Sequence, residues 1–213
     1  MKFYGYWRSS ASWRVRIALQ LKGLSYDYVP VHLLEGGGQQ HGDAHRSRNP
    51  MRQVPVLEVE AGGATHLLGQ SMAILEYLEE TYPTPPLLPR DPFARAKARQ
   101  IAEAINSGIQ PLQNLSVLQH LKSLGADDQA WGRHWVGRGL EAVETLVRGS
   151  AGTFCVGDEP TFADCCLVPQ LYAARRFALE IERFPTLLRI EQTCAALPAF
   201  QRAHASAQPD AQG

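Results

Sequence analysis

The spacing of apolar residues changes character near residue 92, and that change divides the chain. Before it, short aromatic or β-branched runs alternate with helical periodicity. Lys2–Tyr6 is short, aromatic-rich and bounded, and reads as a strand. From there, Ala11, Val15, Ala18 and Leu19 fall at i, i+4, i+7 and i+8, one face of a helix. Lys22-Gly23 closes that helix with a cation and then a C′ glycine. Tyr26–His32 predicts a second strand, placed at a sheet edge because Pro30 has no N–H for a ladder. Leu34–Arg52 is polar and glycine-rich, a long loop with room for one irregular helix, and loops of that length are often functional. Val54–Glu60 and His66–Leu68 flank a Gly-Gly turn and predict a hairpin. Ser71 then opens a helix with Ile74, Leu75, Leu78 and Tyr82 on its apolar face and Glu76, Glu79 and Glu80 outside it. The order β-α-β-loop-β-β-α fits a small α/β domain.

Tyr82–Pro92 carries five prolines in eleven residues, which no helix can continue through, so it reads as a linker. Beyond it strand signals almost vanish. Phe93–His120, Asp127–Arg148, Thr161–Leu179 and Pro185–Leu197 all suit helices. The expected organisation is therefore a first domain over 1–82, a linker over 83–92 and an all-helical domain over 93–213. The polar tail His204–Gly213 is expected to fray.

A hydrophobic content of 45% is enough to bury a real core. Lysine plus arginine equals aspartate plus glutamate, 21 each, and a neutral chain without a basic block argues against nucleic acid or an anionic membrane as partner. No apolar run approaches a membrane span, and MKFYGYW has no signal-peptide core, so the expected compartment is the cytoplasm. Cys155, Cys165, Cys166 and Cys194 show neither C-x-x-C nor a zinc-like histidine spacing, so no metal site is expected. Neighbouring Cys165 and Cys166 point apart on a helix and should stay reduced.

Several places carry candidate chemistry. Ser9, Ser10 and Ser12 crowd the entrance of the first helix beside Trp7, Trp13, Arg8, Arg14 and Arg16. That entrance suits an anion or a nucleophile, because the first N–H groups of a helix lack partners within it. Val54-Pro55 is either an edge device or a cis peptide that turns the Val54 N–H and C=O outward to pair a peptide-like ligand. Gln70-Ser71 is either an ordinary N-cap or an anion site. Thr161 and Asp164 have capping-box spacing and belong to folding. Arg8 and the pair Arg175-Arg176 are candidate carboxylate clamps, since guanidinium matches carboxylate bidentately. The stripe Trp131, Trp135 and Leu140 is packing.

Together these features resemble the cytosolic glutathione transferases: a thioredoxin-like half with Val-Pro and Gln-Ser, a proline-rich linker, and a helical half with T-x-x-D. The stretches RSSASWRVRIALQLKG, GGGQQ, NPMRQVPVLE, GIQPLQNLSVL and VGDEPTFADCCLVPQ are similar to the zeta class, the maleylacetoacetate and maleylpyruvate isomerases, over nearly the whole chain. The resemblance implies a thioredoxin-like α/β N-terminal domain followed by an all-helical C-terminal domain, a homodimer, and glutathione as cofactor. It implies that Ser9 hydrogen-bonds the glutathione sulfur, with Ser10 beside it. Gln40, Val54, Gln70 and Ser71 would hold the tripeptide, Val54 at its cysteinyl backbone and Gln70-Ser71 at its γ-glutamyl carboxylate. Gln110, Asn114, Leu115 and Ser116 would approach from the helical domain, while Arg8 and Arg176 would face a small diacid substrate.

The implied reaction is cis-trans isomerisation of a maleyl keto diacid by thiolate addition, bond rotation and elimination. One position departs from the family: its usual cysteine between two serines is Ala11 in this chain. That departure leaves open a transferase acting on halogenated or electrophilic acids; a second alternative, a non-catalytic binding module on the same fold, is opposed by the intact Ser9, Gln70 and Ser71. Leu115, where an arginine would offer a further carboxylate contact, inclines the expectation toward maleylacetoacetate over maleylpyruvate.

Overall fold

The computed structural model describes residues 1–212. They fall into two compact units: Met1–Pro86 together with the segment from Pro198 onward, and Leu87–Leu197.

In the first unit, β1 (Lys2–Gly5), β2 (Asp27–Pro30), β3 (Val56–Ala61) and β4 (Ala64–Gly69) form one sheet in the order β2-β1-β3-β4. β1 runs parallel to β2 and antiparallel to β3, so the sheet is mixed, and β2 takes the edge that Pro30 predicts. A parallel pair needs a crossover, which α1 (Ser10–Leu21) supplies. The β3–β4 hairpin turns at Gly62 and Gly63, with φ of 59° and 78°, a backbone that glycine adopts without a Cβ clash. α1 packs against α3 (Ser71–Thr81), and Phe3, Val15, Leu19, Leu57, Leu75 and Leu78 between sheet and helices are fully buried. Each aliphatic or aromatic side chain buried in this way contributes about 1.5–3 kcal/mol. The segment between β2 and β3 folds into two short 3-10 turns, Glu35–Gly37 and Gln39–His41, and the four-residue helix α2 (Asp43–Arg46).

Two expectations for this unit change. Glu79, assigned to the outer face of α3, is buried and accepts from Lys22 Nζ at 2.8 Å. Lys22 also donates to the carbonyls of Tyr82 (2.7 Å) and Pro85 (2.9 Å), so it joins α1 to α3 and to the proline-rich segment. The C-terminal tail, expected to fray at the end of the helical domain, instead packs on the first unit. Asp210 in the tail accepts from the Trp7 N–H at 3.1 Å, and just before the tail the helix α9 (Pro198–Ala203) lies against α1, where the buried Arg16 donates to the Ala203 carbonyl at 3.1 Å.

The second unit is helical: α4 (Pro92–Asn106), α5 (Leu115–Ser123), α6 (Asp128–Arg148), α7 (Phe162–Arg176) and α8 (Pro185–Ala195). The single helix expected over Phe93–His120 is two helices. Ser107–Asn114 interrupts it, with Gly108 ending the first and Pro111 inside a 3-10 turn over Gln110–Gln113. α7 carries the capping box its sequence predicts: Asp164 Oδ2 accepts from the Thr161 N–H (2.8 Å) and hydroxyl (2.9 Å) while Oδ1 accepts from the Cys155 N–H (2.9 Å). Glu144, buried on α6, accepts from the N–H groups of Thr186 (3.3 Å) and Leu187 (3.1 Å) and so caps α8 from outside the helix. Trp131 Nε1 donates to the Leu112 carbonyl at 2.8 Å and Leu140 is fully buried, as a packing stripe requires. All four cysteines are buried free thiols. Among the described residues no helix is long and apolar enough to cross a membrane, and no cluster of His, Cys, Asp and Glu is fit to hold a metal.

Candidate active site

Strand register gathers the first unit's candidate residues at one end of the sheet. Gly5 ends β1 opposite Pro30 at the end of β2, and Val56 opens β3 paired with Tyr4 and with Gly69, the last residue of β4. The turn with Arg8, Ser9 and Ser10, the loop with Gln40, the approach to β3 with Val54, and Gln70-Ser71 after β4 therefore all leave from that end.

Ser9 is the N-cap of α1, with φ −67° and ψ 120°. Its Oγ accepts from the Ser12 N–H at 3.2 Å. A hydroxyl that accepts in this way keeps its own proton to donate. Ser10 opens the helix and Ala11 follows it, with no acidic residue in the first turn to neutralise the partial positive charge there. The Arg8 guanidinium stands 5.2 Å from the centroid of the Trp7 ring.

Ser71 begins α3 and is buried, and its Oγ accepts from Arg14 Nη1 at 3.2 Å. The fully buried Arg14 thus adds a full cationic charge beneath a helix N-terminus, an arrangement that attracts a carboxylate. Gln70 caps that helix at φ 67° and ψ 114°, a left-handed backbone rare outside glycine. Such conformations persist only where surrounding structure holds them, and they cluster at binding sites.

Val54-Pro55 is a cis peptide, the sharper of the two sequence readings. Val54 lies outside both ladders of β3, and among the described residues its N–H and C=O have no protein partner. The carbonyl just before it, of Gln53, is held by Asn49 Nδ2 at 2.8 Å and lies 2.9 Å from His45 Nε2. Gln40 is buried, its Nε2 donating to the Leu33 carbonyl at 3.3 Å, while its Oε1 is buried without a partner. Gly38 suits this place: its φ of 98° is one that L side chains rarely adopt, and a Cβ there would stand 2.5 Å from the Gln40 amide and displace it.

In the second unit, Gln110 opens the 3-10 turn and Asn114 caps α5, its Oδ1 accepting from the N–H (3.1 Å) and hydroxyl (3.0 Å) of Ser116. Leu115, between them, is half-buried. Asn114 and Ser116 are thus engaged with each other as a helix cap. Arg176 is the exposed last residue of α7. Its neighbour Arg175, the other half of the expected clamp, forms a two-pronged pair with Glu191 (Nη1–Oε1 2.6 Å), so that guanidinium serves the fold.

Two residues went unassigned in the sequence: Arg14 and Arg16. Both are fully buried on α1. Their signal was present in WRVRIAL, two arginines inside an otherwise apolar run on a helix with almost no exposed face.

A mixed four-stranded sheet whose loops gather a capped hydroxyl, an open backbone edge and an electropositive helix start, with a helical unit following in sequence, is the architecture of the glutathione S-transferases. The family model of the glutathione S-transferase N-terminal domain matches residues 3–86 and that of the C-terminal domain residues 132–198, and the chain belongs to this family. Within the family its likeness is to the zeta class. It is 52% identical to a probable maleylacetoacetate isomerase 2 of Drosophila melanogaster, covering 97% of this chain and 88% of that one. A crystal structure of maleylacetoacetate isomerase from Anaeromyxobacter dehalogenans with bound glutathione superposes with a TM-score of 0.92 at 57% identity, covering 99% and 97% of the two chains. A holo maleylpyruvate isomerase, a bacterial zeta-class enzyme, gives 0.93 at 43% identity over 100% of both.

The residues present fit glutathione. A peptide backbone matches the open Val54 edge, a carboxylate matches the Ser71 helix start above Arg14, and the orphaned Gln40 Oε1 offers an acceptor to a peptide or ammonium N–H.

Proposed function

We propose that this chain is a glutathione-dependent cis-trans isomerase of a maleyl keto diacid, with maleylacetoacetate as the preferred substrate. The observation that carries the reading is Ser9: a capping hydroxyl that accepts from Ser12 and retains a proton for a sulfur, at a helix start free of acidic side chains. When bound, glutathione would supply a thiolate able to add reversibly to the conjugated double bond, and Ser9 would hold that sulfur.

The residues of the chain make that thiolate available. An ordinary thiol titrates near pH 8.5 and is only slightly ionised at neutral pH. The Ser9 O–H donates to the charged form, and a bond of this kind contributes about 1.5–3 kcal/mol. The start of α1 acts in the same direction by about 0.3–1 kcal/mol. Val54 and Gln70-Ser71 orient the tripeptide, and Arg8 and Arg176 neutralise the diacid and the charge that develops on its enolate. Gln110, Asn114, Leu115 and Ser116 contribute to ligand recognition, and the uncharged Leu115 favours the longer keto acid.

The four free thiols suit a reducing compartment, which supports a cytoplasmic location. Membership of the glutathione S-transferase family supports a homodimer. The competing reading, a transferase that consumes glutathione, draws on Ala11 in the place of the family cysteine. Thiol titration during turnover separates the two. Isomerisation leaves the glutathione concentration constant while the substrate absorbance decays, whereas loss of one thiol per substrate overturns the proposal. The arginine role is sunk if Arg176→Ala leaves kcat/KM for a diacid unchanged.

A further inference from the structure

The turn Tyr6–Ser9 has most of its backbone polar groups engaged, and one of its holders comes from the far end of the chain. The Ser9 N–H donates to the Tyr6 carbonyl (3.0 Å), and the Tyr6 N–H reaches Ser12 Oγ (3.4 Å). Arg16 donates to the carbonyls of Tyr6 (3.3 Å) and Trp7 (2.7 Å), and its third contact is the Ala203 carbonyl (3.1 Å). The Trp7 N–H donates to Asp210 Oδ2 at 3.1 Å, a partner 203 positions away in sequence. Asp210 Oδ2 also accepts from the Tyr28 hydroxyl at 3.0 Å, while Oδ1 is buried without a partner.

A half-satisfied carboxylate is an expensive way to stabilise a fold, because the unpartnered oxygen forfeits its hydration. What it secures is position. Burial pushes the Arg16 guanidinium down to about 10, and Asp210 is among the neighbours that oppose this, while Arg16 grips the same turn from the other side. Two residues further along, Gln212 Nε2 donates to Glu35 Oε1 at 3.1 Å and stands 3.3 Å from His32 Nε2, at the base of the loop that carries Gln40.

We propose that the C-terminal segment His204–Gln212 is a working part of the glutathione site, with Asp210 as the positioning residue that holds the Trp7 peptide and, through it, the Ser9 hydroxyl against the sulfur. This inference rests on the role of Ser9 proposed above. Asp210 touches neither cofactor nor substrate. It fixes the angle from which Ser9 donates, so its loss weakens stabilisation of the thiolate while leaving the tripeptide contacts at Val54 and Ser71 in place.

The test is the ionisation of bound glutathione, followed by thiolate absorbance near 239 nm across pH, with kcat and KM for glutathione measured alongside. Three variants are compared in the full chain: Asp210→Ala, Asp210→Asn, which retains an acceptor, and Tyr28→Phe, which removes one of the two donors that orient the carboxylate. Ser9→Ala is the reference. The expected result is a rise in the pKa of the bound thiol in Asp210→Ala, a kcat roughly tenfold lower with KM for glutathione within about threefold, recovery in Asp210→Asn, and a smaller rise in Tyr28→Phe. If Ser9→Ala raises the thiol pKa while folded Asp210→Ala and Tyr28→Phe leave it unmoved, the segment is merely structural and the inference fails. If Asp210→Ala does not fold, an unmoved pKa in Tyr28→Phe overturns it alone. If Ser9→Ala itself leaves the pKa unmoved, the failure lies in the reading of Ser9, and the inference falls with it.

Discussion

Lys22→Met tests whether the buried ion pair joining α1 to α3 supports the first unit as its geometry requires. All three N–H donors of Lys22 are used, on Glu79 Oε2 and the carbonyls of Tyr82 and Pro85, and the two charged side chains are 0% and 5% exposed. Methionine preserves the length of the stem but takes a donor from a buried carboxylate and from the carbonyls of half-buried Tyr82 and exposed Pro85. Removing one partner of a buried pair costs about 3–5 kcal/mol. At roughly 2–4 °C per kcal/mol for a chain of this size, the melting transition falls by about 6–20 °C. Removing both charges, in Lys22→Met with Glu79→Leu, recovers most of that loss and leaves about 1–2 kcal/mol for the bereft carbonyls. Urea unfolding of the wild type, both single variants and the double variant closes the cycle, with an expected coupling of at least about 2 kcal/mol. A loss below about 1 kcal/mol in Lys22→Met, or a double variant no more stable than that single one, would show that the pair behaves like an exposed one and refute the reasoning.

Glu144 sets a pH dependence. Burial pushes its carboxyl up, but the donors from Thr186, Leu187 and Arg148 outweigh burial and hold it below its ordinary range. A depressed folded pKa gives stability that is present above the unfolded value near 4.3 and is lost as pH falls through the folded one. Glu144→Gln is therefore less stable than wild type at pH 7, and the two converge at strongly acidic pH; a gap unchanged from pH 7 to 3 in urea titrations contradicts this. Burial pushes the thiols of Cys155, Cys165 and Cys194 up. An aromatic disulfide reagent is expected to label none of the four cysteines in the native protein and all four in guanidinium, and rapid native labelling would contradict the buried placement.

Local signals in the sequence located most elements and singled out the polar motifs that the fold brings to one end of the sheet. The switch from aromatic strand to helical spacing places β1 and α1, Gly62-Gly63 places the hairpin, and Thr161 with Asp164 places the start of α7. Val54-Pro55 and Gln70-Ser71 are legible because cap and turn chemistry acts over two to four residues. What brings those motifs together is strand register, which no single motif encodes. Long-range polar pairing is equally silent. Lys22 and Glu79 are 57 positions apart, as are Arg14 and Ser71, and Arg16 and Ala203 are 187 apart. For that reason Glu79 reads as an outer-face residue, and the tail from His204 reads as a frayed end of the helical domain. The break between α4 and α5 was within reach, since Gly108 and Pro111 stand inside the predicted helix.

The account rests on a thiolate held at Ser9. The most direct measurement is the decay of maleylacetoacetate and maleylpyruvate absorbance, with and without glutathione, for wild type and Ser9→Ala. Turnover that requires glutathione, faster with maleylacetoacetate, and a kcat/KM lower by roughly ten- to hundredfold in the variant is the predicted result, matching a charged hydrogen bond of about 1.5–3 kcal/mol. Glutathione-dependent turnover undiminished in Ser9→Ala, or none of either substrate by a wild type that still binds glutathione, would contradict it.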